Sequence, residues 1–127
     1  MEKLGIAFPF AYPSGNLFKK KSGWKYLMGW NKKTDQWMKD YFLVKKWNAK
    51  ERRKVTVTRY GSRELDFENL ADGMKPLFDG LKRALLIVDD SPKWIDREYI
   101  QKKCKRTEEK TEVLIEWIDQ HSQSPKE

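Results

Sequence analysis

The 127-residue sequence has few of the residues that would cross-link a chain or insert it into a membrane. Its one cysteine, Cys104, cannot form a disulfide within the chain, which fits a reducing compartment. No apolar run approaches the roughly 20 residues that a transmembrane helix needs. Pro9 and Pro13 interrupt the amino-terminal stretch before a signal-peptide core could form. These absences predict a cytoplasmic protein that does not contact a membrane.

Carboxylates are almost missing from the first quarter of the chain, where Glu2 is the only one. Seven lysines and no Asp or Glu occur between Lys3 and Thr34, in a chain of net charge +8. A field of one sign attracts polyanions, and we expect nucleic acid before an acidic membrane surface. Trp24 and Trp30, in the same region, are candidates for stacking on exposed bases. The candidate nucleic-acid contacts in this region are four lysines and the first of these tryptophans, namely Lys19, Lys20, Lys21, Trp24 and Lys25.

The carboxylates are concentrated in one segment. Residues 64–90 contain seven of the nineteen acidic residues and three basic ones, so this segment has a net charge of −4 and the rest of the chain +12. In extended backbone Asp66 and Glu68 point the same way, with side-chain origins roughly 6–7 Å apart. These two, with Asp89 or Asp90 from a nearby loop, could bind magnesium, which prefers oxygen ligands. Asp-Asp-Ser-Pro is equally common in turns, so a turn remains open for the last pair.

Periodicity in the first half of the chain predicts strands and one helix. We expect a strand over 4–10 and a loop or short hairpin over 17–33. A helix follows over 34–47, with Thr34 as its N-cap. Residues 54–60 alternate β-branched and polar side chains, as in a strand. Three tryptophans lie on the apolar patterns and are expected in the core, namely Trp37, Trp47 and Trp117.

The acidic segment predicts a helix that Pro76 either kinks or divides into a first turn and a main helix, because proline removes one backbone donor and clashes with the preceding turn. Apolar residues recur at helical spacing from Leu70 to Leu85. For Asp72 and Asp79 on the opposite face, we favour a solvated surface with weak ion pairs. The residues on that face lie within about 40° of one line that runs along the helix; they are Glu68, Asp72, Lys75, Asp79 and Lys82.

The carboxy-terminal part predicts further strands. Residues 85–88 indicate a short buried strand, and the segments 94–105 and 111–118 favour a β-hairpin with a charged turn between them, although a helix over the second remains open. The chain should therefore form one α+β domain over 1–120, a mixed sheet flanked by two main helices, with a flexible tail over 121–127.

Four short motifs resemble those of the RusA-type Holliday junction resolvases. In the family's order they are "PSGN", "LDFENL", "MKPLFDGL" and "LLIVDDSPKW". The similarity is weak over 17–53 and after residue 100. Two departures are visible: Glu68 stands where the family usually has aspartate, and residues 71–73 are additional relative to the shortest members.

The resemblance implies a homodimer in which each subunit has one Mg²⁺-dependent carboxylate site and cuts one strand of a four-way DNA junction. The metal ligands would be Asp66, Glu68 and Asp90, with Mn²⁺ as a possible substitute. Lys75 would be the catalytic lysine, since its ammonium could neutralise charge that develops at phosphorus. Asn16 of the first motif completes the candidate nucleic-acid contacts. The source would be a bacterium or a phage.

Other functions fit the same residues. A non-catalytic DNA-binding protein on this fold is one alternative, with Glu68 marking a site that has lost its activity. A second is an interaction protein that binds an acidic partner through residues 19–33. A nuclease that acts on flaps instead of junctions is a third.

Overall fold

A four-stranded mixed sheet organises the computed structural model, which describes residues 3–39 and 51–117. The strands lie in the order β1-β4-β2-β3, and β4 is antiparallel to both of its neighbours, whereas β2 and β3 are parallel. Along the chain they are β1 (Lys3–Phe8), β2 (Arg53–Gly61), β3 (Ile95–Lys103) and β4 (Lys110–Trp117). A mixed sheet is what the sequence predicts.

Helices complete the domain and share its core. Val55 and Val57, at alternate positions of β2, are fully buried in one cluster with Leu77 and Leu81. The α+β class is therefore confirmed. In the described ranges no helix is long and apolar enough to cross a membrane. The helices are α1 (Asn16–Lys19), α2 (Gly23–Met38), α3 (Phe67–Gly73) and α4 (Lys75–Arg83), and a 3₁₀ turn spans Arg106–Glu108.

Helix α2 shows that the prediction of a loop or hairpin over 17–33 is wrong. Its buried residues are Gly23, Thr34 and Met38, so the core-facing side has few of the large apolar side chains that mark a helix in a sequence. Trp24, in contrast, is 61% exposed. The positions of the apolar residues in this helix therefore do not show which face is buried.

Thr34 lies inside α2 and is not an N-cap. Its hydroxyl donates to the Trp30 carbonyl at 2.8 Å, which leaves its oxygen to accept from the Tyr12 hydroxyl at 2.5 Å. Trp37, expected in the core, is 50% exposed, and Trp117 is half-buried. Trp47 and the second half of the expected helix lie outside the described residues, as does the tail over 121–127.

Residues 85–88 close helix α4 and do not form the expected buried strand. Leu85 has a left-handed backbone, with a φ of 62°. Its amide donates to the Lys82 carbonyl, and the amide of Leu86 donates to the Leu81 carbonyl. This pair of bonds is the Schellman pattern, in which the chain reverses direction after a helix. The apolar run is partly buried, as expected, but its backbone is irregular.

The two carboxy-terminal strands are present but do not form a hairpin with each other. β2 lies between them and pairs with both. The charged segment after β3 passes the end of β2, where the Cys104 amide donates to the Gly61 carbonyl. The amide and the hydroxyl of Ser62 both donate to Glu109, at 2.9 and 2.8 Å. Bonds to the end of β2 therefore replace a tight turn.

Replacing Leu85 with glycine should stabilise the protein. Glycine adopts the left-handed region without the cost of about 1–2 kcal/mol that an L side chain incurs. Leu85 is 68% exposed, so the substitution removes little apolar burial. We expect the free energy of unfolding of Leu85→Gly, from urea titration, to rise by about 0.5–1 kcal/mol. The control Ala84→Gly, in right-handed backbone, should lower it by about the same amount. A less stable Leu85→Gly would contradict the left-handed assignment.

Candidate active site

The loop between β1 and α1 packs directly on helix α3 and brings the lysine-rich helices next to the acidic segment. The Gly15 amide donates to the Asn69 carbonyl at 2.9 Å. A Cβ on Gly73 would overlap the Pro13 carbonyl oxygen. A Cβ on Gly15 would overlap that of Asp72. The Pro-Ser-Gly-Asn and Ala-Asp-Gly segments are therefore in backbone contact, which glycine alone permits at these two positions.

Asp66 is the N-cap of α3, and Asn69 orients its carboxylate. One oxygen accepts from the Asn69 side-chain amide at 2.7 Å, and the other accepts from the Asn69 backbone amide at 3.4 Å. These hydrogen bonds, the side-chain one first, hold the pKa of Asp66 below its ordinary value. Asp66 is therefore an oriented anion at the surface. Glu68, in the first turn, is exposed and has no hydrogen bond or ion pair within the part of the chain that the structure describes.

The contact between α1 and α3 borders two grooves. The larger, which we call the arginine groove, has a volume of about 670 Å³, and its charged and amide lining residues include Asn16, Lys20, Arg59, Arg63, Asp66 and Arg106. The smaller, which we call the lysine groove, has a volume of about 330 Å³, and its charged lining residues are Lys19, Asp72, Lys75, Asp90 and Arg97. Asp90 and Lys75 thus share one groove, and Asp66 lines the other.

Asp90 lies in the turn after α4, not at the end of a strand, and Arg97 of β3 holds its backbone. The Arg97 guanidinium donates to the Asp90 carbonyl and lies 4.5 Å from the centre of the Phe78 ring. Asp89 is bound locally, because its carboxylate accepts from the Asp90 amide, which lowers the pKa of Asp89. Asp90 is therefore the member of the pair that lines the lysine groove.

Two lysine ammonium groups lie close to carboxylates: Lys19 is near Asp72, and Lys82 is near three other aspartates. Lys19 Nζ is 3.1 Å from Asp72. The pKa of Lys19 is raised, first by this hydrogen bond and further by the charges of Asp72, Glu68 and Asp66. Lys82 Nζ lies within 4.0 Å of three carboxylates, those of Asp79, Asp89 and Asp90. The carboxylates near Lys19 and those near Lys82 therefore each attract a positive charge.

The three predicted metal ligands, Asp66, Glu68 and Asp90, do not form one cluster. Among residues 3–39 and 51–117, no three His, Cys, Asp or Glu side chains lie close enough to bind one metal ion. The carboxylate oxygens are of the type that magnesium takes, so the donor chemistry fits. Their arrangement would have to change, because Asp66 and Asp90 line different grooves.

Asp72 and Arg97 belong to the lysine groove, although the sequence reasoning assigned neither to a site. The predicted solvated surface with weak ion pairs is confirmed for Asp72, since its side chain is 45% exposed and pairs with the exposed Lys19, and it lines the same groove as Lys75. The sequence already indicated that Asp72 and Lys75 lie close together, since they share a helix face. No sequence pattern relates Arg97 to Asp90, because the guanidinium on β3 bonds a backbone carbonyl in the irregular segment before that strand.

The candidate nucleic-acid contacts are all exposed along α1, the following turn and the start of α2; they are Asn16, Lys19, Lys20, Lys21, Trp24 and Lys25. Lys25 Nζ lies 5.7 Å from the centre of the Trp24 ring. Trp30, the other candidate for base stacking, instead packs on Phe10 and Tyr12, with ring centres 5.3 and 5.2 Å away. Trp24 is therefore the better placed of the two.

Substituting Gly73 with alanine should disrupt the contact that joins α1 to α3. The added methyl would meet a backbone oxygen that cannot rotate away, so we expect the free energy of unfolding to fall by about 1–3 kcal/mol. Gly29→Ala is the matched control, because a Cβ there meets nothing within 4 Å on an exposed helix position. That control should raise stability by about 0.5–1 kcal/mol. Equal effects of the two substitutions in urea titration would contradict the close contact.

Comparison with known proteins provides no family assignment: no model of a protein family and no curated protein matches this sequence. The resemblance to the RusA-type resolvases stays a prediction. The function must therefore be argued from the two grooves and the side chains that line them.

Proposed function

We propose that the protein is a Mg²⁺-dependent endonuclease that hydrolyses phosphodiester bonds in branched DNA. One observation carries this proposal, namely that Lys75, Asp90 and Asp72 line one groove beside exposed lysines of α1 and α2. A lysine next to carboxylates can contact a phosphate while the carboxylates bind a hard cation. The surrounding lysines supply the electrostatic attraction that a polyanion needs.

The lysines of the groove are suited to binding phosphate oxygens. Lys75 Nζ lies 3.5 Å from Asp79, and its side chain is more than half exposed. The ammonium is therefore accessible to a ligand in the groove. Lys19 faces the same groove from α1. In this proposal Lys75 contacts the phosphoryl group that reacts, and Lys19 orients the strand. Both ammonium groups would stabilise charge that develops on the phosphoryl oxygens.

Asp66, Glu68 and Asp90 would hold the magnesium ion, with Mn²⁺ as a possible substitute. The ion, when bound, would polarise a phosphoryl oxygen and lower the pKa of a water molecule. Before that, Asp66 would have to exchange its hydrogen bonds with Asn69, and Lys82 would have to withdraw from Asp90. The 4.0 Å pair of Lys82 is long and partly exposed, and such pairs contribute only about 0–1 kcal/mol. Loss of the Lys82–Asp90 pair therefore costs little, whereas Asp66 and Asp90 would still have to approach each other from different grooves.

Asp66→Asn and Asp90→Asn should each slow cleavage of a synthetic four-way junction in Mg²⁺ by about 100-fold or more, because each removes a ligand charge. Asparagine is as good an N-cap as aspartate, so Asp66→Asn should keep helix α3 intact. Glu98→Gln is the control, since Glu98 is exposed on β3 and pairs only loosely with Lys54, at 3.7 Å. Its cleavage rate should equal that of the wild type. Unchanged cleavage by both aspartate variants would refute the proposal.

Junction binding provides a second measurement on the same variants. Removal of a carboxylate reduces repulsion of phosphate, so in EDTA the two aspartate variants should bind the junction as tightly as the wild type or more tightly. Binding of any polyanion with no preference for branched over linear DNA would instead favour an interaction protein with an acidic partner.

DNA binding without catalysis is the second candidate function. The observation in its favour is that no three potential ligands cluster within the described ranges. It predicts junction binding by the wild type with no cleavage at any Mg²⁺ or Mn²⁺ concentration. Titration of either metal in the cleavage assay separates the two candidates.

We also propose that the protein acts as a homodimer, because a four-way junction is resolved by cuts in two opposite strands, and this chain offers one set of these carboxylates. Sedimentation equilibrium should give twice the 15.2 kDa mass of the chain for the protein alone, and that mass plus the mass of the DNA for the protein on the junction. A monomer under both conditions would exclude the dimer.

A further inference from the structure

We propose that the arginine groove binds a second segment of nucleic-acid backbone, distinct from the strand at the lysine groove, through its phosphodiester groups. This inference rests on the proposed function for the identity of the ligand, but it does not require cleavage. The supporting observation is that three arginines line one groove: Arg59 and Arg63, at the end of β2 and just after it, and Arg106 from the 3₁₀ turn.

Arg59 forms a fixed positive charge in this groove. Only 8% of the residue is exposed, and its guanidinium donates to the carbonyls of Tyr12 at 2.7 Å and Arg63 at 3.0 Å. Burial lowers the pKa of Arg59 from its ordinary value, and the charge of Glu109 acts against this shift. A guanidinium nevertheless stays protonated in proteins. The groove therefore contains a permanent cation that the surrounding carbonyls hold in place.

Arg63 and Arg106 supply the solvent-accessible cations of the site. Both side chains are exposed, and neither makes a hydrogen bond or ion pair with the residues at 3–39 and 51–117. The planar fork of a guanidinium matches two oxygens of a phosphate group. Lys20 lines the same groove and adds a third accessible cation. These groups can thus bind phosphate without first breaking contacts within the protein.

The carboxylates of the groove do not cancel this charge. Three of them line it, against four cations. Glu109 is held by two hydrogen bonds from Ser62, and these bonds are the main reason why the pKa of Glu109 is lowered. Asp66 is held by Asn69. Two of the three acids are therefore hydrogen-bonded locally, whereas within residues 3–39 and 51–117 the side chains of Arg63 and Arg106 make no hydrogen bond or ion pair.

The position and size of the arginine groove favour a strand distinct from the one that reaches Lys75. Its volume of about 670 Å³ exceeds what one phosphate needs and lies in the range of about 300–1,000 Å³ that accommodates a small-molecule unit such as a nucleotide. Neighbouring residues at the end of α1 line different grooves, since Lys19 lines the lysine groove and Lys20, the C-cap, lines the arginine groove. Strands that diverge at a branch point could occupy both.

The test compares two double variants of equal charge in EDTA. Arg63→Gln/Arg106→Gln should weaken binding of a labelled four-way junction by about 10-fold and reduce the slope of log K against log salt by about 2. Lys3→Gln/Lys93→Gln removes the same charge at the opposite end of the sheet, where Lys3 pairs with Glu116 and Lys93 precedes β3. That control should change the affinity less than about 2-fold. Thermal melting of both variants verifies that they are folded.

Three outcomes would overturn the inference. Wild-type affinity in the arginine variant would exclude the groove as a binding site, and equal losses in the two variants would assign the effect to net charge alone. Stabilisation of the wild type by inorganic phosphate that the arginine variant loses, with junction affinity unchanged, would assign the groove to free phosphate. A wild type that binds junctions by this groove but does not cut them would refute only the nuclease proposal.

Discussion

The loop from Tyr12 to Gly15 is the constraint on which both grooves depend, because it is bonded to four different elements. The Tyr12 amide donates to a threonine of β4, its hydroxyl donates to Thr34 of α2, and its carbonyl accepts from Arg59 of β2. Gly15 then donates to Asn69 of α3. Burial raises the pKa of Tyr12, so its hydroxyl stays protonated and remains a donor. One short segment thus positions the lysines of α1 against the carboxylates of α3.

The charges that meet at this contact are paired weakly, and that is consistent with binding a ligand there. Lys19 lies 3.1 Å from Asp72, but each side chain is about half exposed. Lys82 lies 3.5–4.0 Å from its three carboxylates. Exposed pairs of this kind contribute about 0–1 kcal/mol, so a phosphate can recruit the lysines and a hard cation the carboxylates at low cost. By contrast, the buried Arg59 has strong hydrogen bonds that keep it in place.

The fold could be predicted from the sequence where the local pattern of apolar residues agrees with the side chains that the tertiary structure buries. The kinked acidic helix is confirmed as α3 and α4, which meet at Met74 beside Pro76, and the alternation over 54–60 is confirmed as β2. Prediction fails where they disagree. Helix α2 buries glycine and threonine while Trp24 faces solvent, so its apolar residues mark the wrong face. The apolar run at 85–88 satisfies burial without a strand, because Leu85 reverses the chain.

The sequence by itself determined the elements with a strong period, the mixed α+β class and the separation of acidic from basic residues. Those properties depend on neighbouring residues, and on composition, which is independent of folding. The tertiary structure alone decided that β2 separates β3 from β4, that Asp66 and Asp90 line different grooves, and that Arg59, Arg63 and Arg106 meet. Apart from Arg59 and Arg63, which are four residues apart, these residues lie far apart in the chain, and their arrangement depends on strand pairing and on backbone contacts at Gly15 and Gly73, which no local pattern encodes.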